Sequence, residues 1–100
     1  MTLPVRIQLS RRQGWRMPPG TVKVDRSTIW GNPYAIGPDS SREESIRLFR
    51  LHADEILEVR PDWLDPLRGR NLACWCRLDQ PCHADVLLEL ANRQSDGEAG

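Results

Sequence analysis

The sequence predicts a small single α/β domain with a three- to four-stranded, mostly parallel sheet and two main helices. Three observations carry this. Two short amino-terminal segments have the alternating or β-branched pattern of strands. A central segment repeats apolar residues at helical spacing. A short apolar strand then runs almost directly into a second helical stripe. One hundred residues suit one domain with a modest core. The domain is placed at residues 1–94 and a frayed tail at 95–100.

Val5–Leu9 alternates apolar and polar residues and reads as the first strand. Met17-Pro-Pro-Gly20 is a loop, and Thr21–Asp25 is the second strand, with Val22 and Val24 on one face. Gly31 and Pro33 interrupt Ile29–Tyr34, which is therefore an ordered loop. Ser41-Arg-Glu-Glu44 fits a capping box in which Glu44 returns to the cap amide. The helix that follows runs to about Val59 and buries Ile46, Phe49, Ala53, Ile56 and Leu57.

Pro61–Leu67 reads as a short helix or turn ended by Gly69. The third strand is expected over Asn71–Arg77, with Leu72, Cys74 and Cys76 on one face and Ala73, Trp75 and Arg77 on the other. Asp79 would cap the last helix, from about Pro81 to Asn92, with Val86, Leu87, Leu90 and Ala91 inward. The strand–helix–strand order between residues 21 and 77 is that of a parallel crossover. Four tryptophans against one Phe and one Tyr are expected to supplement a core built from only 39% apolar residues.

Charge is zero overall but unevenly placed: residues 1–26 hold six basic residues (Arg6, Arg11, Arg12, Arg16, Lys23, Arg26) against Asp25 alone. Such an arm suits contact with phosphate, nucleic acid or a host protein, or it packs against the acidic remainder of the chain, and the overall neutrality favours packing. No stretch is long and apolar enough to span a membrane, and Met1–Val5 does not open a secretory leader. Three clustered cysteines, an odd number, argue against a secreted disulfide framework, so the chain is read as cytoplasmic with reduced thiols.

Those cysteines carry the chemistry. Cys74, Cys76, Cys82 and His83 fall within ten residues, spaced C-x-C-x5-C-H. Two readings follow. In the first, Cys76 or Cys82 is a reactive thiol with His83 as base or orienter, and Cys82 gains thiolate character in the first turn of a helix. In the second, Cys74, Cys76, Cys82 and His83 bind zinc, although the spacing departs from paired C-x-x-C knuckles. Cys74, mid-strand, is also a natural core residue, and His52 is expected at the surface.

A second wall is offered by Arg26–Asn32: Arg26 for an anion, Trp30 for stacking, Gly31 for close backbone approach, and Ser27, Thr28 and Asn32 for neutral hydrogen bonds. Together the walls suit a nucleotide, nucleoside or nucleic-acid base. No phosphate-cradling glycine motif is present.

The ordered motifs Val24–Tyr34, Ser41–Glu44, Leu67–Cys76 and Pro81–Leu87, with W-G-N-P and C-W-C…C-H-[GA]-D at their centre, resemble a domain-of-unknown-function family, number 4326, over residues 5–92. Tyr34 stands where that family usually has Phe, and Ala84 where Gly is common. The resemblance implies the same fold and matches Arg26, Trp30, Gly31, Asn32, Cys74, Cys76, Cys82, His83 and Asp85 to its motifs. It implies no reaction. Its phage association favours a nucleotide or nucleic-acid target.

Overall fold

The computed structural model describes residues 3–34, 36–38 and 41–93; the expected tail at 95–100 lies outside these. Three strands, β1 (Arg6–Gln8), β2 (Thr21–Lys23) and β3 (Asn71–Cys74), form a parallel sheet in the order β1-β3-β2. Arg6, Ile7 and Gln8 face Leu72, Ala73 and Cys74, while Thr21, Val22 and Lys23 face Asn71, Leu72 and Ala73. β3 has partners on both edges. That position explains its apolar Leu-Ala-Cys run, all buried, whereas the outer strands are half-exposed.

Helix α1 (Arg42–Val59) connects β2 towards β3, and α2 (His83–Asn92) follows β3 and packs against the sheet and against α1. The expected parallel crossover is thus present. The core joins Val24, Leu72 and Cys74 of the sheet region to Phe49 and Ala53 of α1 and to Val86, Leu87, Leu90 and Ala91 of α2. A single 3-10 turn at Asp65–Leu67 closes the core with Trp63, Leu64 and Leu67, and Gly69 then takes a left-handed turn at φ +72°.

Five local expectations are corrected. β3 stops at Cys74 rather than Arg77, because its neighbours are only three residues each. The last ladder bonds are Leu9 N–H to the Cys74 carbonyl and Val24 N–H to the Ala73 carbonyl, both 2.8 Å, and the chain bends once partners run out. Ser41 does cap α1, accepting from the Glu44 amide at 3.1 Å, but the Glu44 carboxylate turns to a two-point pair with Arg47 instead of back to the cap.

At α2 the cap is Cys82, not Asp79. Asp85 accepts from the Cys82 amide at 3.0 Å while the Cys82 sulfur receives the Asp85 amide, a reciprocal box built with a thiol. Asp79 pairs with Arg77 instead. Of the four tryptophans only Trp63 is buried. His52 is half-buried rather than on the surface, edge-on to Tyr34.

Candidate functional site

The bend after β3 and the start of α2 bring the three cysteine sulfurs within 4.8 Å of one another. Cys74 and Cys82 are buried with their sulfurs 3.0 Å apart, and Cys76 is half-exposed. None forms a disulfide. Cys82 is extended (φ −149°, ψ 155°), so it does not diverge from His83 as two helical neighbours would. His83 Nδ1 lies 3.4 Å from its sulfur.

The His83 ring is fixed from its other side. Nε2 sits 2.7 Å from the Val24 carbonyl. A carbonyl only accepts, so Nε2 carries the proton and Nδ1 presents a lone pair to Cys82. Phe49 packs edge-on against the ring at 5.2 Å between centroids. The single S–H of Cys82 therefore has two acceptors, Nδ1 and the Cys74 sulfur.

The hydrogen bond with Cys74 and burial push the Cys82 thiol up to about 11, only partly offset by His83 and the Ala84 amide. The bond from Cys82 holds Cys74 below the usual thiol range despite burial. Burial, then the neighbouring Cys82, raises Cys76. The Cys74 contact and desolvation work against thiolate character at Cys82 despite the helix terminus.

These side chains, with Arg26 and Asn32, line one cleft of about 390 Å³. Among the described residues Arg26 makes no hydrogen bond or ion pair. Asn32 is buried and committed to the fold: it donates to Ser45 at 2.9 Å and accepts from the Tyr34 amide at 2.8 Å, docking the loop on α1. Ser27 and Thr28 are likewise turned onto Asp25.

Trp30 does not line this cleft. Its indole N–H donates to the Trp63 carbonyl at 3.0 Å and its ring packs on the core. Gly31 is required by the loop itself, because a Cβ there would meet Arg26 Cα at 2.5 Å and the Asp25 carbonyl at 2.6 Å.

Trp75 and Arg42 are among the lining residues that sequence did not anticipate. Trp75 is exposed at the rim, its N–H 2.9 Å from Asp25 and its face covered by the Arg11 guanidinium at 4.3 Å from the ring centroid. Its outward alternation between Cys74 and Cys76 was the available signal. Arg42, in the first turn of α1, donates to the Pro81 carbonyl at 3.1 Å and approaches the Cys76 sulfur at 3.7 Å. No local sequence pattern marks it.

Of the basic arm, Arg6 is turned inward, bonded to Asp85 and to the carbonyls of Arg77 and Gln80. No helix among the described residues is long and apolar enough to cross a membrane.

Over 79 residues the chain is 39% identical to an uncharacterized 12.4 kDa protein of the nrdA-td intergenic region of Enterobacteria phage T4, covering 72% of this chain and 68% of that protein. No solved structure matches. The model of the domain of unknown function DUF4326 matches residues 7–93, and the chain belongs to that family.

Proposed function

We propose that this chain is a small cytoplasmic domain that binds a nucleotide, nucleoside or nucleic-acid base in the cleft between Arg26 and the Cys76–Cys82–His83 turn. The observation that carries the reading is that Arg26 and the Cys76–Cys82–His83 turn line one cleft of about 390 Å³, a volume that suits a ligand of mononucleotide size. Arg26 holds the anionic group, as a planar donor fork suits phosphate. Trp75 at the rim, by the face that Arg11 leaves open, takes the stacking role that sequence assigned to Trp30. The Cys76, Cys82 and His83 side lies where the reacting end of such a ligand would rest. Three free thiols fit a reducing compartment.

The alternative of a basic arm devoted to nucleic acid or a host protein has less support, because Arg6 and Arg11 are engaged within the chain.

Calorimetric titration with nucleoside monophosphates, nucleosides and free bases tests the proposal. Arg26→Ala is expected to weaken the monophosphates about tenfold to a hundredfold and to leave nucleosides little changed. Absence of binding by all three classes, or equal binding of monophosphates by the variant, would overturn it.

A further inference from the structure

We propose that Cys74, Cys76 and Cys82 form a zinc-binding site, with His83 Nδ1 as its fourth donor. The inference goes beyond the ligand-binding reading and stands or falls separately from it. A tetrahedral zinc site with bonds of about 2.3 Å needs sulfurs about 3.8 Å apart. The three sulfurs already lie within 4.8 Å of one another, and Cys74 and Cys82 at 3.0 Å need only part slightly.

The surroundings are those of an anionic centre rather than of core thiols. Arg42 reaches to 3.7 Å from the Cys76 sulfur, and the first amides of α2 point at Cys82. Three thiolates around Zn2+ carry one net negative charge, which the Arg42 guanidinium offsets.

His83 supplies the second argument. Its proton is pinned on Nε2 by the Val24 carbonyl, leaving Nδ1 free of a proton and beside the sulfurs. A ligating histidine is commonly oriented in this way, by a carbonyl on its other nitrogen. Once Cys82 loses its proton, Nδ1 would face a thiolate lone pair to lone pair, and a metal ion between them removes that repulsion. Binding takes up one Zn2+ and releases the ligand protons to solvent; no electrons move.

Reactive-thiol chemistry fits less well, since Cys74 and Cys82 are buried and only Cys76 is half-exposed.

The test is elemental analysis of untagged full-length protein purified without chelator. About one zinc per chain is expected. Replacement by Co2+ should give thiolate-to-cobalt charge-transfer absorption in the near ultraviolet. Cys74→Ser, Cys76→Ser and Cys82→Ser should each weaken zinc at least tenfold. If those variants do not fold, the intact protein still decides. After chelator stripping, added zinc should protect all three cysteines from a thiol reagent.

Metal-free protein whose labelling is unchanged by excess zinc would overturn the site, as would metal-free protein carrying a disulfide. Full affinity in His83→Gln would remove the histidine from the ligand set. Because every readout is of metal or thiol, failure here is distinguishable from failure of nucleotide binding.

Discussion

Asp25 concentrates several jobs in one carboxylate. It opens the turn after β2, accepts from Ser27 and from the Trp75 indole, and lies 3.6 Å from Lys23. Burial acts to raise its pKa, but the Ser27 and Trp75 hydrogen bonds, with Lys23, outweigh it and hold the carboxyl below its usual range. A folded value below the unfolded one stabilises the fold at neutral pH, and this contribution is lost as pH falls through the folded value. Urea denaturation should therefore show stability declining below about pH 4. Asp25→Asn should flatten that decline and loosen Trp75 at the rim, seen as a shift in tryptophan fluorescence. An unchanged acid limb in the variant would count against this role.

At the scale of elements, β3, the bend and the start of α2 form one unit, tied to β1 by Arg6. The Arg6 side chain is 7% exposed and reaches three acceptors: Asp85 at 3.0 Å, the Arg77 carbonyl at 2.8 Å and the Gln80 carbonyl at 2.6 Å. It thereby fixes the bend that carries Cys76 and the cap that carries Cys82. Arg6→Ala should lower stability by about 1.5–3 kcal/mol in urea denaturation, since a buried guanidinium and its charged hydrogen bonds are lost. Arg6→Lys should recover only part, because one ammonium cannot span diverging acceptors.

Sequence pattern showed this unit's existence but misplaced its ends. Alternation carried the third strand to Arg77, whereas strand length depends on the partners β1 and β2, whose extent no pattern inside β3 reveals. The cap on Cys82 was legible in principle as Cys82-x-x-Asp85, the spacing of a capping box with sulfur in place of a hydroxyl oxygen. That Trp30 turns to the core and Trp75 to the cleft rim was not legible, because the deciding partners, the Trp63 carbonyl and Asp25, lie 33 and 50 residues away in sequence. The inward face of α1 was legible because helical periodicity is local: Phe49 and Ala53 are buried, with Ile46, Ile56 and Leu57 packed beside them.

At the scale of the molecule, the parallel sheet explains why the site lies where it does. β2 and β3 both run towards the same edge, so Asp25 and Arg26, after one strand, meet Cys74 and Cys76, at the end of the other. The start of α2 completes the edge with Cys82 and His83, where open α/β sheets gather their ligands. The central claim is that the three cysteines act there as one centre. X-ray diffraction from crystals of zinc-loaded protein, with anomalous differences measured across the zinc edge, tests it most directly. A single strong anomalous peak is expected about 2.3 Å from the sulfurs of Cys74, Cys76 and Cys82. No peak there, or zinc held by other residues, would contradict it.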